Sequence, residues 1–91
     1  MRRIGHFING QLVPGDGARL GDVFDPATGQ VQARVALASA DEVSAAVAAA
    51  QAAFPAWAAT PPLARARVLF RYKALLEEHA DEIAAAITAE H

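Results

Sequence analysis

The spacing of apolar side chains changes near Ser39, and this change divides the chain into two regions. Before Ser39, Gly and Pro are frequent and apolar residues come in short runs, which predicts short strands joined by tight turns. After it, apolar residues recur three or four positions apart, which predicts helices. We therefore expect an α/β chain with two short β-hairpins in residues 1–38 and three α-helices in residues 39–91.

The first hairpin is predicted from residues 7–13, where Asn9-Gly10 stands between apolar positions. Asn-Gly favours a type I′ turn, because both of its central residues take positive φ. The second hairpin is predicted from residues 22–24 and 30–37, joined by a turn at residues 25–29 that contains Pro and Gly. Its second strand alternates between an apolar side (Val31, Ala33, Val35, Leu37) and a polar side (Gln32, Arg34), so we expect one buried face.

The first helix is predicted to run from about Ala40 to Phe54. Ser39 and Glu42 have the spacing of a capping box, and Pro55 is expected to end the helix. Its apolar side chains form one stripe (Val43, Val47, Ala50, Phe54) beside a face of small residues (Ala46, Ala49, Ala53). A small-residue face favours close approach of another backbone.

The second helix is predicted from about Pro61 to Glu78, with Thr60 as its N-cap. It is apolar on a broad face (Val68, Leu69, Tyr72, Leu75, Leu76) and on an opposite stripe (Leu63, Ala66, Phe70, Ala74), so we expect it to pack on two sides. A third helix follows His79, with Ile83 and Ile87 four residues apart. These faces exceed what the chain itself can cover, so we expect the N-terminal piece of a larger α/β protein.

Composition and charge exclude several classes of function. Apolar residues make up 54% of the chain, but about a quarter of the chain is alanine, which buries little area. The net charge of −2 gives no reason to expect nucleic acid or membrane as a partner. The absence of cysteine excludes disulfides, thiolate metal sites and a cysteine nucleophile within these residues. With neither a secretory signal nor a 20-residue apolar run, we expect a cytoplasmic protein.

The chemistry-bearing residues do not form a recognisable site. The histidines (His6, His79, His91) lack the spacing of metal ligands and are interpreted as surface or helix-end residues. The acids at a helix junction (Glu77, Glu78, Asp81, Glu82) are interpreted as a solvated corner. The basic residues of the second helix (Arg65, Arg67, Arg71, Lys73) are scattered around it, and the aromatic pair (Phe70, Tyr72) points to opposite sides. The serines (Ser39, Ser44) lack triad partners, and no glycine run matches a nucleotide-binding loop. We predict no catalytic, cofactor-binding or metal-binding residue in this chain.

The order of several segments resembles the N-terminal region of the aldehyde dehydrogenase superfamily. They are Asp25-Pro26-Ala27-Thr28-Gly29-Gln30-Val31, residues 35–43, residues 45–50, Trp57, residues 65–69 and residues 76–84. The usual family form has Asn where this chain has Asp25, and both side chains accept turn hydrogen bonds. Residues 6–10, 32–35, 58–63 and 68–73 are similar to the CoA-acylating methylmalonate-semialdehyde dehydrogenases.

The resemblance implies an N-terminal fragment of the aldehyde dehydrogenase fold. Family members oxidise a small semialdehyde with NAD, using a cysteine nucleophile, and pass the acyl group to CoA. With methylmalonate semialdehyde, CO₂ is lost and propionyl-CoA results, a step of valine and inositol breakdown. The cysteine, the oxyanion-hole asparagine, the cofactor segment and the oligomerisation hairpin all come later in family members. The implied partners are therefore the remainder of the enzyme and a homo-oligomer, with CoA and a semialdehyde as substrates.

Two other hypotheses remain open at this point. In the first, the chain belongs to another aldehyde dehydrogenase, such as a succinate-semialdehyde enzyme that does not use CoA. In the second, it is a stand-alone helical module that docks on a partner through its alanine face. The expectation common to the enzyme hypotheses is that the 91 residues alone are inactive.

Overall fold

The computed structural model describes all 91 residues and contains five strands and three helices. The strands are β1 (Arg2–Ile4), β2 (His6–Ile8), β3 (Gln11–Val13), β4 (Leu20–Phe24) and β5 (Val31–Ala36). The helices are α1 (Ala40–Ala59), α2 (Pro62–Glu78) and α3 (Ala80–Glu90). The α/β class and the order of two hairpins before three helices are confirmed.

The first hairpin forms where the Asn-Gly turn predicts it. β2 and β3 pair antiparallel, with Phe7 opposite Leu12 and Ile8 opposite Gln11. Asn9 has a φ of 54° and Gly10 a φ of 74°, the left-handed values that a type I′ turn requires at both central positions. The turn therefore sets the register of this two-stranded sheet.

The second hairpin is extended by a strand that the sequence did not predict. β4 and β5 pair antiparallel, with an irregularity between Val23 and Phe24. β1 pairs parallel with β5 on the other side, which gives a three-stranded sheet in the order β1-β5-β4. Two of the three residues of β1 are arginines, so it shows no apolar alternation, and its partner lies about thirty residues away.

The prediction of one buried face on β5 is wrong. Ala33 and Ala36 are the two buried residues of the whole chain, and they point to opposite sides of the strand, whereas Leu37 is exposed. Ala36 lies beneath Gly15, where an added Cβ would approach the Ala36 Cβ to 2.9 Å. Gln32, predicted on the open side, donates hydrogen bonds to the backbone oxygens of Phe24 and Ala89. Both faces of β5 are therefore partly covered.

Helix α1 begins as predicted but continues past Pro55 to Ala59. Proline lacks the N–H that would bond to the oxygen four residues back, but the rest of the ladder continues around it. The helix ends at Thr60, since Pro61 disfavours helical backbone in the residue before it, and Thr60 has a ψ of 130°. The prediction that Pro55 ends this helix is therefore wrong.

Thr60 caps the end of α1 and not the start of α2. Its hydroxyl donates a hydrogen bond of 2.8 Å to the Ala56 oxygen, and its backbone N–H bonds to Trp57 O. Pro61 precedes the first residue of α2 without any side-chain cap. The boundaries of α2 and α3 otherwise agree with the predicted ones, with His79 as the junction between them.

The described residues form an open layer without a core of their own. The radius of gyration is 16.9 Å, against about 12 Å for a compact chain of this length. The shape measures 48 × 35 × 15 Å, so it is one layer thick, whereas domains need two packed layers. The accessible surface is 7205 Å², against about 5,000 Å² for a compact monomer of this mass.

No single helix is long and apolar enough to cross a bilayer. Helices α1 and α2 reach that composition only when taken together, and their axes are bent by 120°.

Candidate functional site

The most enclosed group of polar side chains lies where the first hairpin, the loop after it and the start of α1 meet. We call these four residues the polar junction: His6 on β2, Asp16 in the loop, Ser39 at the N-cap and Glu42 in the first turn of α1. It is the strongest candidate for a functional site within the chain.

Ser39 and Glu42 form the predicted capping box with both halves present. The Glu42 N–H donates to the Ser39 Oγ at 3.1 Å, and the Ser39 N–H donates to the Glu42 Oε1 at 3.1 Å. The Ser39 hydroxyl also donates to Glu42 Oε1 at 3.3 Å. These bonds satisfy the free N–H groups of the helix start and hold the Glu42 carboxylate in one orientation.

The second carboxylate oxygen of Glu42 faces the imidazole of His6. The Nε2–Oε2 distance is 3.5 Å, and both side chains are only 17% exposed. This distance is longer than an ordinary N–H···O hydrogen bond, so the contact is an ion pair when His6 is protonated. Gly15 lies above it with a φ of 84°, and an added Cβ would approach the His6 Nε2 to 3.3 Å.

Asp16 occupies the exposed rim of the polar junction. Its Oδ1 accepts a hydrogen bond of 3.0 Å from the Ala18 N–H. That bond lowers the pKa of Asp16 below its ordinary value, with smaller contributions in the same direction from the Ser39 hydroxyl and the Arg19 charge. Asp16 therefore stabilises its loop in the ionised form.

The polar junction has the geometry of a structural joint. The Glu42 carboxylate already accepts hydrogen bonds from Ser39 and faces His6, so it is engaged within the fold. His6 and Glu42 also line a concavity of about 340 Å³, but its other lining residues are apolar. The described residues contain no group of three or more potential ligands placed to hold a metal ion. The joint connects the strand region to the helical region.

The remaining sequence candidates are dispersed. His79 and His91 lie at helix ends as expected, and His79 Nδ1 is 2.6 Å from Glu82 Oε2. Lys73 pairs with Glu77 at 2.9 Å on the solvent side of α2. His6 is the exception, because it is largely enclosed, and its interpretation as a surface or helix-end residue is wrong. His6 and Glu42 are 36 positions apart and meet only in the folded chain, so no local sequence pattern predicts the pair.

The helix N-termini do not fit the pyrophosphate of NAD. Such a site needs free backbone N–H groups and room for negative charge at a helix start. Helix α1 starts with Asp41 and Glu42 and is already capped, and α3 starts with Asp81 and Glu82. Helix α2 starts at Pro62 after Pro61, and proline has no N–H. That the chain contains no cofactor-binding residue stays a prediction, which this geometry favours.

The largest concavity, about 690 Å³, lies between β1, β3 and the end of α3. Its charged groups are engaged within the chain: Arg2 pairs with Glu90 at 3.1 Å, and the Arg3 guanidinium lies 3.5 Å from Pro14 O. It presents no unpaired polar group around which a substrate would be oriented.

Comparison with known proteins identifies the class. The sequence profile described as the aldehyde dehydrogenase family matches residues 12–91. The chain belongs to the aldehyde dehydrogenase family, a family of oxidoreductases.

Its relatives narrow the comparison further. A malonate-semialdehyde dehydrogenase of Pseudomonas aeruginosa is 46% identical over all 91 residues, and one of Geobacillus kaustophilus is 49% identical over 94% of the chain. The crystal structure of a methylmalonate-semialdehyde dehydrogenase from Oceanimonas doudoroffii matches the whole chain with a TM-score of 0.96 and 56% identity. A structure from Sinorhizobium meliloti, described as a methylmalonate-semialdehyde dehydrogenase complexed with NAD, matches with a TM-score of 0.97 and 47% identity.

The chain spans about a fifth of the length of these proteins. It covers 18% of the Pseudomonas relative and 18% of the Oceanimonas structure. Its fold is therefore the fold that this segment has within a much larger enzyme, and the expectation of a partial, N-terminal segment is confirmed.

Proposed function

We propose that this chain is the N-terminal segment of an NAD-dependent, CoA-acylating aldehyde dehydrogenase that acts on malonate or methylmalonate semialdehyde. The observation that carries the proposal is the structural match of the whole chain to a methylmalonate-semialdehyde dehydrogenase at 56% identity. The complete enzyme would work in the cytoplasm as a homo-oligomer.

Within that enzyme, the role of these residues is to build and support the domain. The chain has no cysteine, and its helix N-termini are acidic, capped or blocked by proline, so its residues do not perform the oxidation. Its apolar helix faces provide surface on which the remainder of the enzyme packs. The 91 residues alone should therefore show no NAD reduction with any aldehyde.

The test compares two proteins from the same gene. The first is the 91-residue chain, and the second is the product of the reading frame continued past the His91 codon. NAD reduction is measured with malonate, methylmalonate and succinate semialdehydes, each with and without CoA. The proposal predicts activity only in the longer protein, with dependence on CoA and a preference for the first two substrates.

Each alternative predicts a different result. A preference for succinate semialdehyde without CoA would identify another aldehyde dehydrogenase. A reading frame that stops after His91, together with a stoichiometric partner that is not an aldehyde dehydrogenase, would favour a helical interaction module. Turnover by the 91-residue chain itself would contradict the argument from the absent nucleophile.

A further inference from the structure

The three helices leave many large apolar side chains uncovered. No residue of α1, α2 or α3 is buried. We use the name helical docking surface for the most exposed large apolar residues of these helices: Val47, Phe54, Leu63, Leu69, Phe70, Tyr72 and Ile87. On α2 they lie on two opposite sides, with Tyr72 59% exposed on one and Phe70 69% exposed on the other.

The uncovered area is large enough to hold a partner without a covalent link. The accessible surface exceeds that of a compact monomer of this mass by roughly 2,000 Å². An ordinary stable complex buries about 800 Å² on each partner, and obligate interfaces bury more. A chain that loses most of this excess to one partner thus has more than the area needed for stable association.

A second copy of the chain is a poor occupant for this surface. A two-fold dimer covers one self-complementary patch on each copy. Phe70 and Tyr72 are two residues apart and so point to nearly opposite sides of α2, about 160° from each other around the helix, and a dimer that covered one of them would leave the other in water. The partner therefore has to cover both sides of α2.

The occupant is indicated by the solved relative. The Oceanimonas enzyme contains this same segment at a TM-score of 0.96, as 18% of a folded chain. The remainder of that chain is the material available there to cover these helices.

We propose that the helical docking surface binds the remainder of an acylating aldehyde dehydrogenase in trans, so that the separate 91-residue chain completes an enzyme that lacks its own N-terminal segment. The proposal rests on the proposed function, since it takes the partner from the same enzyme family. It adds that the helical docking surface provides enough binding free energy for association without the peptide connection after His91.

The test is a split-enzyme experiment. The tagged 91-residue chain is co-expressed with the Oceanimonas enzyme from which the matching N-terminal segment has been removed. The matched control replaces this chain by the relative's own tagged segment, and a second control omits any segment. We expect one-to-one capture of the truncated enzyme by this chain and NAD reduction at least about tenfold above the truncated enzyme alone.

Two variants locate the contact, and one serves as their control. Phe70→Asp and Tyr72→Asp each place an unpaired charge in the interface on opposite sides of α2, so capture should fall at least about tenfold for either variant. Lys73→Gln changes the polar flank of the same helix and should leave capture within about twofold. Both aromatic side chains are mostly exposed in this chain, so the helical circular dichroism signal should be the same in all three variants; Phe70→Ser and Tyr72→Ser replace any variant that loses it.

The outcomes separate cleanly. Restoration by the relative's own segment but not by this chain would overturn the proposal, and so would restoration by neither, because the peptide connection would then be required. Capture that ignores both aspartate substitutions would assign binding to another surface, and recovery of this chain only as a dimer would make a second copy the occupant. Since capture is measured without substrate, its failure is distinct from failure of the proposed activity, which the continued reading frame tests.

Discussion

The strand region and the helical region differ in how far their side chains are buried within the chain. Strand β5 is hydrogen-bonded on both sides and contains both buried residues, Ala33 and Ala36. The three helices contain none, although they carry most of the large apolar side chains. A helix bonds its backbone internally and can form before its face is covered, whereas a strand needs a neighbour from the same chain.

This difference supports the proposal that the segment is part of a larger enzyme. The strand region brings its own partners together within 36 residues, and the polar junction fixes α1 to the first hairpin. The helical region then presents its faces to material outside these 91 residues. We infer a boundary between the two regions near residue 38 from their composition. Buried residues occur before this position and not after it.

The largest effect is expected from the same enlargement made in the two regions. Ala33 is fully buried and Ala53 is exposed on α1. Ala33→Leu overpacks the central strand and should destabilise the sheet by about 1–3 kcal/mol, whereas Ala53→Leu should change stability by less than about 0.5 kcal/mol. Amide hydrogen exchange of β5 measures the stability change caused by each substitution. Equal changes would contradict the difference between the two regions.

A smaller effect is expected at the contact between the regions. Ser39→Ala removes the two hydrogen bonds that the Ser39 hydroxyl makes with Glu42 and should cost about 1 kcal/mol of α1 stability. Ser44→Ala, five residues on and exposed, is the matched control and should have no destabilising effect, since alanine is the better helix former. Exchange rates of the first-turn amides distinguish the two, and identical rates would show that the cap does not hold the helix start.

The smallest effect is a pH dependence confined to the strand region. The pKa of Asp16 is lowered in the folded chain by the Ala18 N–H, so its contribution is present above the pKa of the unfolded chain. That contribution is lost as the pH falls through the lower folded value. Asp16→Asn should remove this part of the acid sensitivity, and carboxyl chemical shifts during an acid titration report it. A titration at or above the ordinary value would contradict the assignment.

Local patterns predicted most of the elements, and contacts distant in sequence account for the errors. The Asn9-Gly10 turn and the Ser39–Glu42 cap are encoded within a few residues, so both were predicted correctly. Strand β1 depends on pairing with β5, and His6 meets Glu42 only in the folded chain, so neither was predicted. Pro55 shows the opposite error, because a strong local stop signal is overridden when the helix ladder continues around it.

The family resemblance supplied what the site chemistry did not. No cluster of residues in this chain identifies an aldehyde dehydrogenase, since the polar junction is a structural joint and the helix starts do not fit NAD. The segments at residues 25–31 and 65–69 carried the recognition, and the family match over residues 12–91 confirms it. A segment of this kind is recognised by the order of its family segments along the chain and not by a cluster of reactive residues.

Calorimetry of the 91-residue chain shows whether it unfolds as an independent domain. We expect that it does not, because these residues lack a core of their own and their helix faces are left for the remainder of the enzyme to cover. A compact domain of this length would unfold in one transition with an enthalpy of about 60 kcal/mol near 60 °C. We predict no cooperative transition of that size in the monomer; a single reversible peak near that enthalpy, with the chain monomeric, would contradict the account.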